Sequence, residues 1–344
     1  MKKCVLTIVL ALTTAAWATT YIELVPWLTV KGSSTGTNHQ AAAVQGQVSY
    51  HQLSTAANIT RVAPLNGVQT TTVLLDSNAW FNAAQTSSMT TWYGFSVAGD
   101  YVQFTETSSD QVWRVNKNTG AITAYATKAD IMAVTGLTSV QLLSPSDTNA
   151  AGETVFYEGN AKALLVTAGP NNVQMLVSSA QLQAATGNDT VSGGLAWDAY
   201  GNVYWGSNTS DDLWRRNADG SIVQVLTNAQ LAAVTGSNQL IWKDIFVAPD
   251  GWIYFNENTS KAILRFNPAN PAGTLSIFLS EADLVAGPMA SNNPVCLGWY
   301  DPDGAGPNPG GLTFHTFSTK GLYYVPEPAG VMLALLGLTA LRRR

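Results

Sequence analysis

The stretch Gly194–Gly236 reads GLAWDAYGNVYWGSNTSDDLWRRNADGSIVQVLTNAQLAAVTG. GLAWDAY, NVYWGS, LWRRN and SIVQVLT are short apolar runs rich in aromatic and β-branched residues. Gly201-Asn202, NTSDD and Ala218-Asp219-Gly220 separate them, and each is a turn signal. The order is four antiparallel strands followed by TNAQLAAVTG, a very short capped helix. Thr227 or Asn228 stands at its start, Leu231 and Val234 share a face, and Gly236 ends it in a left-handed turn.

The unit recurs. Mini-helices KADIMAVTG, SAQLQAATG and SEADLVAG end at Gly136, Gly187 and Gly287, so the closing glycines are 51, 49 and 51 residues apart. A degenerate copy, SNAWFNAAQTS, spans Ser77–Ser87. Four short strands in a unit of about 40–50 residues form a β-propeller blade. Third strands are read at Ile59–Val62, Val112–Val115, Ala163–Val166, Leu213–Arg216, Ile263–Phe266 and Leu322–Val325, which makes six blades. The last ends without a fourth strand. YIELVPWLTV (21–30) has no blade of its own and is expected to supply that strand and close the ring, removing a sheet edge. The predicted fold is therefore all-β: a six-bladed β-propeller with short helices in the inter-blade crossings. Each mini-helix carries the chain from the rim of one blade to the centre of the next. It is a spacer sealing that face or a wall of a binding cleft.

On this blade pattern, residues 21–325 resemble the six-bladed propellers of the NHL, SMP-30/gluconolactonase and YncE-like group. The resemblance speaks for fold and carries little about function.

Composition bounds the partners. Charged residues are 11% of the 344, against a usual share of about 25%. Without Lys2, Lys3 and the three terminal arginines, 12 basic residues face 22 acidic ones, a net charge of −10. Phosphate backbones need a basic surface, so nucleic acid is excluded as a partner. Neutral glycans and metal ions suit the surface.

Second strands end on an aligned position that holds Glu106, Glu158, Ser207 and Glu257, followed by Asn-, Ser-, Thr- and Asp-rich hairpins. These hairpins open on the mini-helix face. Oxygen ligands in a ring suit Ca²⁺, so Glu106, Glu158 and Glu257 are the candidate metal ligands and calcium is the candidate cofactor. The alternative is that the hairpins are solvated and their residues serve turn chemistry. Arg61, Arg114, Arg215 and Arg265 recur on third strands, as an anion-binding ring or as structural arginines bridging neighbouring blades. Asp301–Gly306 (DPDGAG) resembles the start of a calcium loop and lacks its later ligands. His39, His51 and His315 are scattered, and no HExxH, GxSxG or CxxC occurs, so no catalytic residue is assigned. The recurring tryptophans fit packing between blades better than sugar stacking.

The ends give a destination. MKKCVLTIVLALTTAAWA (1–18) has a basic start, an apolar run and a small-x-small site at Ala16-Trp17-Ala18, the pattern of a secretory signal peptide. Its removal leaves Cys296 alone, read as a small buried apolar residue. At the other end, VPEPAGVMLALLGLTALRRR (325–344) joins Pro326-Glu327-Pro328, a short apolar run and three arginines. This closely resembles the PEP-CTERM sorting signal of Gram-negative bacteria that make exopolysaccharide. The resemblance implies recognition at Pro326-Glu327-Pro328 by an exosortase, a membrane cysteine transpeptidase-like enzyme. It further implies transient membrane contact through the tail, and export to the cell surface or extracellular matrix. The domains are thus 1–18, 19–325 and 326–344. The expected function is a non-enzymatic binding or scaffold propeller associated with exopolysaccharide. The alternative is a calcium-dependent propeller enzyme of lactonase or lyase type.

Overall fold

A computed structural model describes residues 21–326 apart from 32–37, 55–56, 92–94, 144–145, 208, 237–240, 258, 287–293, 302–309 and 317–320. The signal peptide, the tail from Glu327 and most of the DPDGAG loop lie outside the described residues. Among those described, no helix is long and apolar enough to cross a membrane.

Six four-stranded antiparallel sheets form the body, as the repeat predicts. The third strands are Ile59–Ala63, Gln111–Asn116, Ala163–Thr167, Leu213–Arg216, Ala262–Phe266 and Leu322–Pro326. In five blades the strands follow chain order from the centre outward. In the sixth, Pro294–Tyr300, Gly311–Thr316 and Leu322–Pro326 are followed on the outside by Ile22–Val25. The ring is closed by its N-terminal strand.

That strand copies the others in detail. Every other blade carries a bulge between strands three and four, at Ile59/Thr60, Val112/Trp113, Leu164/Leu165, Leu213/Trp214 and Ile263/Leu264. In the sixth, Leu322 pairs with Val25 and Tyr323 with Glu23, which skips one residue in the same place. Val25 is fully buried, like its counterparts Leu75, Ala126, Val177, Leu226 and Leu279. Burying a valine side chain contributes about 1.5–3 kcal/mol. Residues 21–30 are not all strand, however. Trp27–Lys31 is a helix, and its Val30 is fully buried. The N-terminal segment is therefore an outer strand plus its mini-helix, displaced to the start of the chain.

The mini-helices are Ser77–Ala84, Lys128–Thr135, Ser179–Thr186, Asn228–Thr235 and Glu281–Ala286. Thr227, not Asn228, caps the fourth of these; its hydroxyl accepts from Gln230 N while Gln230 reaches back to Thr227 N. Thr127 with Asp130, Ser178 with Gln181 and Ser280 with Asp283 form the same capping box. Gly136, Gly187 and Gly236 end their helices at φ of 70°, 72° and 82°. In the degenerate copy Gln85 takes that left-handed position at φ 57°. Each of the five helices buries one large apolar side chain: Trp80, Ile131, Leu182, Leu231 and Leu284.

Candidate functional site

The three glutamates lie where the sequence places them, at the ends of second strands, and all are buried. Each belongs to its own hairpin. Glu106 Oε1 accepts from Ser108 N at 2.9 Å and Thr90 N at 2.7 Å, and Oε2 from Ser109 N at 2.7 Å. Glu158 accepts from Gln141 N, Asn160 N and Ala161 N. Glu257 accepts from Thr259 N at 2.7 Å and Ser260 N at 2.5 Å. A carboxylate held by two or three backbone N–H groups locks a turn. These residues stand in three separate blades. Among the described residues no group of three or more His, Cys, Asp or Glu lies close enough to share an ion.

The hairpins also anchor the mini-helices. Asp110, Lys162, Asp211 and Lys261 take left-handed backbone at the hairpin ends. Asp110 pairs with Lys128 at 2.8 Å, Lys162 with Asp189 and Lys261 with Glu281 at 3.0 Å, and Asp212 accepts from Asn228 N at 2.7 Å. In blades two to five the hairpin is thus tied to the mini-helix or to the turn just after it.

Three of the four arginines, Arg114, Arg215 and Arg265, lie over aromatic rings of their own blade, while Arg61 lines a pocket between blades one and two with Lys117. Arg114 stacks on Tyr101 at 4.5 Å and Tyr125 at 4.9 Å, and Arg265 on Trp252 at 4.8 Å and Phe278 at 5.0 Å. Arg215 lies 5.8 Å from the Tyr204 ring, its partner on the next strand. These contacts fall within a blade, so they brace each sheet by cation–π attraction rather than bridging blades. Trp113, Trp205, Trp214 and Trp299 are buried, as packing tryptophans. His51 is buried against Ser49, with Oγ and Nε2 2.7 Å apart. His315 is buried on the second strand of blade six.

The site that composition did not announce is in the central channel. A cavity of about 300 Å³ is lined by the innermost strands of all six blades, including Ala43, Phe95, Ser146, Trp197, Phe246 and Leu297. It reaches the turns after those strands, at Asn149 and Asp198. In an up-and-down blade these turns lie opposite the mini-helix face. Two carboxyls face this space, Asp147 of blade three and Asp244 of blade five. Asp147 Oδ2 accepts from Trp197 N at 2.8 Å and Oδ1 from Thr148 N at 2.7 Å. Asp244 Oδ2 accepts from Leu297 N at 2.5 Å. Each carboxyl therefore also clasps the next blade. Asn256 reinforces the second clasp, accepting from Asp244 N and donating to Pro294 O.

Burial pushes the Asp147 carboxyl up to about 6, against the pull of its two backbone donors. Burial raises Asp244 well above the usual carboxylate range, and the Asp147 charge adds to the shift. Ser146, only 4% exposed, lines the same cavity, and its hydroxyl has no hydrogen-bond partner among the described residues. The indole Nε1 of Trp197 is likewise buried and unpartnered.

The signal for this site was present as an exception to the repeat. The turns superpose Asn149, Asp198 and Ala248 through matching backbone bonds. Asp147 then falls on Ala196 and Phe246, and Asp244 falls on Gly194. Gly194 is required there by packing, since a Cβ would stand 2.2 Å from Ile245 N. Recurrence selects turn and core residues; the channel carboxyls occur at positions where their counterparts are apolar.

No protein-family model and no curated protein sequence matches the chain. Solved structures do. A calcium-binding protein, regucalcin, from Agrobacterium tumefaciens has a TM-score of 0.54 at 9% identity, over 84% of this chain and 90% of that one. A luciferin-regenerating enzyme has a TM-score of 0.53 at 10% identity, over 85% and 92%. A catalytically inactive virginiamycin B lyase from Staphylococcus aureus with quinupristin has 0.51 at 12%, over 85% and 82%. The chain has the six-bladed β-propeller fold. At such identities the likeness concerns the fold and no more.

Proposed function

We propose that the protein is an exported, non-enzymatic binding or scaffold propeller of the cell surface or extracellular matrix, associated with exopolysaccharide. The observation that carries this reading is the engagement of Glu106, Glu158 and Glu257 by their own hairpins. The three glutamates of the mini-helix face thus serve the scaffold, each fixing the turn that follows its strand. The PEP-CTERM-like motif at Pro326-Glu327-Pro328 supports delivery to an exosortase. Pro326 is the last residue of the third strand of blade six, so the motif begins on that strand.

The rival reading, a calcium-dependent enzyme of lactonase or lyase type, draws on the likeness to regucalcin. Its ion would have to sit in the channel. There the lining includes Asp147, Asp198, Asp244, Asn149 and the hydroxyls of Ser96, Ser146 and Thr148, yet among the described residues no three acidic, histidine or cysteine side chains come close enough to share an ion that takes six to eight oxygens. The donor set does not fit the ion, and we derive no reaction through it.

The test of the proposed function is processing. The full chain and a variant with Pro326, Glu327 and Pro328 replaced by alanine are expressed in an exopolysaccharide-forming Gram-negative host that has an exosortase. The expected result is surface-released protein lacking the tail for the parent and membrane-retained, full-length protein for the variant. Identical processing and location of the two would overturn the reading.

A further inference from the structure

We propose that the channel cavity is a binding site for one small neutral polyhydroxylated ligand, such as a single sugar ring, admitted from the face of the strand one–two turns. The proposal deepens the binding reading above and takes its ligand class from the site's own chemistry.

The cavity holds acceptors and donors together. Asp147 and Asp244 present carboxyl oxygens, while the Ser146 hydroxyl and the Trp197 indole N–H are buried without partners among the described residues. Buried polar groups of a folded protein are nearly always satisfied, and unsatisfied ones at a cavity wall point to a missing partner. An ammonium ion would donate to the carboxyls but could not accept from the indole. An anion would accept from the indole but would meet no Lys, Arg or His among the described residues that line the cavity. A hydroxyl group both donates and accepts, so a ligand carrying several can serve all four residues at once. Phe95, Leu195, Phe246 and Leu297 supply the apolar wall against which C–H faces pack. A volume of about 300 Å³ is at the small end of ligand pockets, which limits the occupant to about one ring. The third acid at the rim, Asp198, already accepts from Tyr200 N, Asn202 and the Tyr204 hydroxyl.

The test uses the purified full chain with methyl α-D-glucopyranoside, methyl β-D-galactopyranoside and myo-inositol as probes, and ethanolamine and acetate as comparators. Saturation-transfer NMR reads binding. At least one neutral probe should bind saturably, and Ser146→Ala or Trp197→Phe should weaken it about tenfold, the effect of one hydrogen bond to a desolvated group. Ser146→Ala deletes an unpartnered hydroxyl, so it should fold and melt no lower than the parent, which keeps a loss of binding interpretable. The proposal is overturned if none of the neutral probes saturates, if only ethanolamine or acetate binds, or if binding is unchanged in both variants. Binding by the isolated chain is independent of its processing, so this result and that of the export experiment can fail separately.

Discussion

Val25 and Leu322 are direct register partners across the ring closure, and both are fully buried. Almost the whole chain lies between them in sequence. Around this pair Tyr21 donates to Leu284 O at 2.8 Å and packs edge-on against Tyr323 at 5.5 Å, while Gln69 Nε2 donates to Leu24 O at 2.5 Å. The first strand is thus fixed to blades five, six and one together. Val25→Ala should cost roughly 2 kcal/mol by the transfer-plus-cavity rule. Deleting residues 21–31 should do more, lowering the melting temperature sharply and exposing the edge of Leu322–Pro326 to intermolecular pairing. Urea unfolding and light scattering check both; a deletion variant that melts like the parent and stays monomeric would refute the closure.

The channel acids set a pH dependence with a definite sign. Asp147 and Asp244 hold their protons more tightly folded than unfolded. Below the unfolded carboxylate value of 3.8, both states are protonated and the groups have no effect. As pH rises from there, through about 6 for Asp147 and through the raised value of Asp244, the unfolded chain ionises first and the fold loses stability. Asp244→Asn keeps an acceptor for Leu297 N and cannot ionise. Its melting temperature should therefore match the parent near pH 4 and exceed it increasingly toward pH 8. A constant difference across that range would show that the acids do not titrate as their burial requires.

Glu257→Ala should destabilise the protein by about 1–3 kcal/mol, because it leaves Thr259 N and Ser260 N without their acceptor. The loss should be equal in millimolar calcium and in EDTA. Thermal-shift titration of parent and variant decides the matter. A saturable calcium shift in the parent that disappears in the variant would return this residue to the role of metal ligand.

Gln85 is the one non-glycine among the four left-handed helix ends observed at Gln85, Gly136, Gly187 and Gly236. Gln85→Gly should stabilise the fold by about 0.5–1 kcal/mol, less what is lost with the Gln85 Nε2 bond to Asn82 O. The reverse change, Gly236→Ala, meets no atom within 4 Å and should cost about 1 kcal/mol through backbone strain alone. Chemical denaturation of the two variants measures both.

The architecture was legible because it is written several times. Gly136, Gly187 and Gly236 mark the period, and the Ser or Thr before four of the five mini-helices marks the crossing; each recurrence makes chance less plausible. The N-terminal strand was legible because blade six visibly lacked a member. Its helix at Trp27–Lys31 was not, since five residues are too few to show a helical period, although Pro26 before it and Gly32 after it are start and stop signals. The glutamates were found by the same rule of recurrence, and that rule selected turn-locking residues. Asp147 and Asp244 could be found only by asking which innermost positions break the pattern. Their meaning depends on a channel that exists only once six blades surround it.

Closure by residues 22–25 also sets an order of events. During synthesis the strand that emerges first waits for a partner, Leu322–Pro326, that emerges last. Blades one to five can form as the chain lengthens, but a nascent product that stops short of Leu322 leaves two unpaired edges, one at each side of the gap. Such a fragment is recognisable as incomplete by its stickiness alone. Pairing Ile22–Val25 with Leu322–Pro326 is therefore a check that every blade of the ring has been made.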